Sequence, residues 1–106
     1  MANYLLVYHG GAGMPESETE QAAIMQAWGA WFGGLGEAVV DGGAPTAQSK
    51  TINNGSVSDG AGATPLTGYS ILAADSLDTA VTMAKGCPVL EGGGTVNVYE
   101  TVDIQM

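Results

Sequence analysis

The chain has no arginine and only two lysines, Lys50 and Lys85, against eleven acidic residues, for a net charge of −9. Binding nucleic acid requires several cations to displace phosphate counterions, and an anionic membrane surface needs cations too, so neither is an expected partner. A single cysteine, Cys87, cannot close a disulfide within the chain, which fits a reducing, cytoplasmic setting. One histidine and one cysteine, without a spaced carboxylate pair, are too few transition-metal ligands for an expected metal site, and no cofactor is expected. No apolar run reaches the ~18 residues of a membrane span. The opening Asn3-Tyr4-Leu5-Leu6-Val7-Tyr8-His9 lacks the basic lead and small-residue cleavage pattern of a secretory signal, so none is expected.

Glycine is abundant. Seventeen of 106 residues are glycine, against a usual share of about 7%, so many tight turns and close backbone approaches are predicted. The length suits one domain over 1–106, able to bury roughly 60–70% of its unfolded surface in a single core.

Residues 3–9 read as a strand that is apolar on both alternating faces, Leu5/Val7 and Tyr4/Leu6/Tyr8. After a turn-rich exit over Gly10–Pro15, Ser17 and Glu20 form a capping box, with Glu16 and Glu18 favourable beside a helix N-terminus. Ile24, Trp28, Trp31 and Leu35 then recur at helical spacing, flanked by Ala27 and Phe32, and place one aromatic stripe against the core. Gly29, Gly33, Gly34 and Gly36 weaken that helix, predicting either an end near 33–36 or a close contact. Glu37–Asp41 reads as a second strand, closed by Gly42-Gly43-Ala44-Pro45. The polar stretch 48–58 carries Asn53-Asn54-Gly55 and predicts a small peripheral hairpin; residues 59–66 have no period and read as a loop. Gly68–Ala74 is the third main strand, and Ser76 caps a second helix with Leu77, Ala80, Val81 and Ala84 on one face, ending at Gly86-Cys87-Pro88. Thr95–Glu100 is the last strand.

This order predicts an α+β, ferredoxin-like βαββαβ fold with an inserted hairpin, its antiparallel sheet carrying both helices on one face. The first and third strands are too apolar on both faces for water. A second copy of the chain is the simplest cover, so a homodimer is predicted.

Tyr4-Leu5-Leu6-Val7-Tyr8, Val57-Ser58-Asp59-Gly60, Gly68-Tyr69-Ser70-Ile71-Leu72 leading into Asp75-Ser76-Leu77-Asp78, and Ala84-Lys85-Gly86-Cys87-Pro88 together resemble the YCII-related domain family. Asp59-Gly60 falls where many relatives have Asp-Gly-Pro-Phe, with Ala61 and Gly62 in place of the Pro and Phe. The resemblance implies a dimeric α/β barrel with a cleft between or beside two facing sheets. Members regarded as enzymes carry a His on the first helix and an Asp before a Pro after the second helix. Here Gln26 lies near the first position and Cys87 precedes Pro88, so that dyad does not carry over. One type of member removes chloride from a chlorinated hydroxyhydroquinone, an analogy only.

Histidine is the side chain best suited to proton transfer near neutrality, and the chain has one, His9. In the ferredoxin-like topology its strand end meets the end of the second strand, with Asp41, and the loop bearing Asp59, so His9, Asp41 and Asp59 are the catalytic candidates. A His bonded to local backbone satisfies the same sequence. Tyr8, Tyr69, Trp28 and Trp31, with Cys87 beside them, are candidates to bind a flat aromatic ligand, although core packing demands such residues as well. Cys87 follows a helix C-terminus, whose dipole disfavours a thiolate, and reads as a packed thiol. The functional expectation is a small-molecule-binding homodimer, a lyase or isomerase using His9 as acid or base; the alternative is a non-catalytic module that binds a ligand or a protein.

Overall fold

The computed structural model describes residues 2–10, 17–60 and 65–102. The predicted turn over 11–15, Glu16, most of the loop over 61–64 with Ala61 and Gly62, and the tail over 103–106 lie outside the described residues.

Six strands and two helices follow one another: β1 (Ala2–His9), α1 (Glu18–Leu35), β2 (Val39–Pro45), β3 (Lys50–Asn53), β4 (Ser56–Asp59), β5 (Leu66–Ala74), α2 (Leu77–Ala84) and β6 (Thr95–Glu100). The four long strands form one antiparallel sheet in the order β2-β5-β1-β6, and β3 and β4 form a separate two-stranded sheet. The architecture is α+β, and with the hairpin set aside its strand order is compatible with the predicted ferredoxin-like fold. No helix of the described residues is long and apolar enough to cross a membrane.

Strict alternation divides the sheet into two faces. Tyr4, Leu6 and Tyr8 on β1 stand beside Leu72, Ser70 and Gly68 on β5, and these are buried on the side of the helices. Asn3, Leu5 and Val7 oppose Ala73, Ile71 and Tyr69 on the other side, continued on β6 by Asn97 and Tyr99. That second face carries no helix.

Both helices begin where their caps dictate. Ser17 Oγ accepts from the Glu20 amide at 3.1 Å, and Ser76 Oγ accepts from the Thr79 amide at 3.1 Å. α1 runs through Gly29, Gly33 and Gly34, where an added Cβ would meet open space, and stops at Gly36 with φ of 57°. The early end is the correct alternative, and no close contact explains those glycines. None of the described side chains of α1 is fully buried; Trp28, Trp31 and Leu35 reach the core as half-buried groups, while Ile24 is half-buried without packing on it.

Two expectations change. The second strand starts later and runs further than Glu37–Asp41: residues 36–38 form a 3-10 turn, and Gly42–Pro45 belong to β2. The reason is a bulge on an edge strand. Asp41 Oδ1 accepts from the Gly43 amide at 2.8 Å, and Gly43 adopts φ of 77°, so glycines that read as a turn instead bend the strand without ending it. On α2 the buried stripe passes through Ala80, Ala84 and half-buried Met83, while Leu77 and Val81 remain 45% and 38% exposed. The helix is rotated about 60° from the predicted face, judged at 100° per residue. Trp31 Nε1 donates to the Met83 carbonyl at 3.0 Å, which draws that flank of α2 toward α1.

The predicted hairpin is present. Ile52 faces Val57 across it, and Asn54 and Gly55 at its tip have φ of 50° and 88°, the left-handed pair that a two-residue turn requires. At its base Lys50 Nζ meets Asp59 Oδ1 at 2.6 Å, an exposed ion pair worth about 0–1 kcal/mol.

Candidate functional site

Between α1 and the β2–β5 edge of the sheet lies a cavity of about 470 Å³ whose walls are overwhelmingly apolar. Trp28, Phe32 and Met25 form the side made by α1, Tyr8 and Ser70 lie in the floor, and the main chain of Gly42–Pro45 forms the rim. The rings pack around Trp28. Its centroid is 5.3 Å from Tyr8 and 5.7 Å from Trp31, both edge-on, and 5.8 Å from Phe32. Such pairs add about 0.5–1.5 kcal/mol each beyond buried area; the Tyr8 pair joins α1 to β1, while the Trp31 and Phe32 pairs lie within α1 and hold the Trp28 ring in place.

The floor is a closed polar chain. Tyr8 donates its hydroxyl to Ser70 Oγ at 2.7 Å, and Ser70 Oγ donates to the Gly42 carbonyl at 2.8 Å. Ser70 is completely buried, and this chain satisfies it. Cys87 lies beside the Tyr8 hydroxyl and is 2% exposed. Burial is the main cause that pushes the Tyr8 phenol far above its ordinary range, with the neighbouring Cys87 adding to the shift. Burial also pushes the Cys87 thiol up, against hydrogen bonds from the Val89 backbone and Tyr8. Cys87 is therefore a packed neutral thiol at physiological pH.

These shifts fix a pH dependence. A buried phenol that keeps its proton in the folded state, while the unfolded chain loses it above about pH 10, makes the unfolded state the one with fewer bound protons. The contribution of Tyr8 is thus intact below about pH 10 and lost as the pH climbs toward its raised folded value. The slope is about 1.4 kcal/mol per pH unit for one proton. Denaturant titrations between pH 9 and 11.5 are expected to show this decline in the wild type and a shallower one in Tyr8→Phe. Equal slopes in the two proteins would mean that Tyr8 is not the group responsible.

The structure brings together some of the sequence candidates and separates others. Tyr8 and Trp28 both line the cavity and pack edge-on against each other, while Trp31 packs on Trp28 outside the wall. Tyr69 borders it as well, but alternation along β5 sends its ring to the opposite face with Val7, so its part of the wall is main chain. Cys87 lies behind Tyr8 rather than in the wall.

The acid–base candidates do not form a cluster. His9 alternates away from Tyr8, pairs with Leu66 and Thr95, and donates from Nδ1 to the Pro65 carbonyl at 3.3 Å. Asp41 lies in mid-strand opposite Ile71, level with Leu5, which is four residues or about 13 Å along β1 from His9. Asp59 sits in the hairpin, paired with Lys50. The expectation of a shared rim fails because β2 extends four residues beyond Asp41. Among the described residues, no group of three or more His, Cys, Asp and Glu side chains gathers as a metal would require.

Sequence reasoning missed Phe32, Met25 and Ser70 as cavity residues. Phe32 follows Trp28 by one helical turn. Ser70 is the one polar residue in the buried set Gly68, Ser70, Leu72 and Ala74, a signal visible in the strand pattern. No family model matches the chain, and no curated protein matches it. The site is read from its own geometry.

Proposed function

We propose that the chain is a YCII-like, non-catalytic binding module that works as a homodimer and holds a small, flat, mostly apolar metabolite in the cavity under α1. The observation that carries this reading is the cavity: a volume within the 300–1,000 Å³ usual for small-molecule sites, ringed by Trp28, Phe32 and Tyr8, with the main chain of Gly42–Pro45 at its rim. Aromatic walls select a ring by stacking and exclude charged groups by desolvation. One hydroxyl on the ligand finds a partner in the main chain of the Gly42–Pro45 rim, which fits a monophenol better than a dicarboxylate. Catalysis by His9 is left out of this reading because its ring belongs to the opposite face of the sheet. The dimer is supported by that opposite face, where Leu5, Val7, Ile71 and Tyr99 stand side by side with no helix over them and Tyr99 is 54% exposed; two such faces laid together make the α/β barrel.

A thermal-shift panel of phenols, catechols, carboxylic acids and divalent metals tests the ligand. A phenol at 100 times its dissociation constant is expected to add about 2.7 kcal/mol of stability, with a smaller effect in Tyr8→Phe. A panel in which phenols shift nothing sinks the proposal, and a shift by carboxylic acids alone assigns the site to other chemistry.

A further inference from the structure

The hairpin β3–β4 has no cover of its own. All eight of its strand residues are exposed, and its one apolar pair, Ile52 opposite Val57, is 74% and 61% exposed. A lone two-stranded hairpin is marginal in water. The radius of gyration, 15.2 Å, exceeds the ~13 Å of a compact chain of about this length, as an arm standing off the body requires.

The charge distribution says what covers it. On a chain of net charge −9, the hairpin carries only Lys50 and Asp59, which cancel each other. The helix-free face is poor in acid: β1, β5 and β6 place no carboxylate there, Glu100 points to the other side, where Tyr4 donates to it, and the one carboxylate the sheet strands bring is Asp41 at the β2 edge, opposite Ile71. A basic partner would be met by acidic residues. Two copies of one acidic chain approach best through patches poor in acid, and the hairpin and the part of the sheet face away from the β2 edge are such patches.

Area points the same way. Four strands about 4.8 Å apart and about seven residues long make a face of roughly 440 Å², short of the ~800 Å² that each partner gives up in a stable interface. In a two-fold dimer, each arm reaching over the other copy extends the contact twice.

We propose that the β3–β4 hairpin is a dimer arm whose Ile52–Val57 pair packs on the second copy of this chain. The inference rests on the homodimer reading above and adds to it the element that clasps the partner. Light scattering across a dilution series tests it on three proteins: the wild type, the double variant Ile52→Asp/Val57→Asp, and a chain in which residues 50–59 are replaced by Asn-Gly. The last is a clean deletion because Gly60 already donates its amide to the Ser49 carbonyl at 2.9 Å, so the ends of the arm are adjacent. The wild type is expected to have the mass of two chains at micromolar concentration, and both variants to dissociate about 100-fold more readily, the double variant with the far-ultraviolet spectrum of the wild type and the deletion with the wild-type helix signal. A dimeric wild type with equally tight variants overturns the arm and leaves the homodimer standing. A monomeric wild type overturns both, and the hairpin then belongs to a different protein partner.

Discussion

Gly43→Ala is expected to destabilise the chain by about 4 kcal/mol or more, enough to leave a small domain of ordinary stability largely unfolded. A Cβ at this position would lie 1.7 Å from the Tyr69 carbonyl oxygen and 2.6 Å from its carbon. Both atoms are backbone of the neighbouring strand, so no side-chain rotation relieves the overlap; β2 must lift away from β5. The φ of 77° adds the strain of a left-handed residue, about 1–2 kcal/mol. Gly93→Ala separates the two effects. Gly93 has φ of 85°, yet an added Cβ there meets nothing within 4 Å, so only the backbone strain applies. Urea denaturation of both variants checks the difference. If Gly43→Ala costs no more than Gly93→Ala, the close approach of β2 to β5 is wrong, and so is the rim of the cavity that Gly42–Pro45 provide.

The same residue shows where sequence reading stops. Gly42-Gly43-Ala44-Pro45 looks like a turn because glycine and proline usually punctuate. Here the positive φ at Gly43 serves a bulge, and Pro45 sits at the end of an edge strand opposite Gly68, where the next amide, that of Thr46, makes the bond to β5 and the missing N–H of the proline falls on the outer side. Whether such a run ends a strand or bends it depends on β5, more than twenty residues later in the chain. Local chemistry was legible where it acts locally: Ser17 and Ser76 cap their helices, Gly36 ends α1, and Asn54-Gly55 turns the hairpin. The strands β1 and β6 were legible because their partners impose no irregularity beyond one shift at Tyr8/His9.

The candidate site divided along the same line. Trp28 and Tyr8 were found because large aromatic residues advertise themselves, and because β1 and α1 were placed correctly. His9, Asp41 and Asp59 were grouped by their chemistry and by an assumed strand end. Side-chain alternation sends His9 to one face, the bulge holds Asp41 in mid-strand, and the hairpin carries Asp59 outward, so three suitable groups do not make an acid–base site. Ser70 has the opposite lesson. Its value lies in the Tyr8–Ser70–Gly42 chain, which joins three separate strands, and no single segment of sequence contains that relation.

Trp28→Ala gives the second large effect and joins stability to function. Substituting a buried Trp by Ala costs about 3–5 kcal/mol, and the half-buried Trp28 belongs at the lower end, about 3 kcal/mol, or roughly 12–24 °C in midpoint for a domain near this size. The loss should exceed what its own burial implies, because Tyr8, Trp31 and Phe32 all pack on this one ring. With the ring gone, α1 keeps Trp31, with its bond to Met83, and Leu35 as its anchors on the core. The cavity also loses a wall, so affinity for a phenolic ligand is expected to fall by at least about tenfold, the equivalent of 1.4 kcal/mol. Met25→Ala is the informative companion. Met25 lines the same cavity but is 65% exposed, so its removal should cost under about 0.5 kcal/mol of stability while still weakening the ligand. Calorimetric titration and thermal melts of both variants separate the roles. A Trp28→Ala protein that melts within 2–3 °C of the wild type, on the order of 0.5 kcal/mol, would show that the ring cluster does not hold the helix. A Met25→Ala protein with unchanged affinity would place the ligand elsewhere.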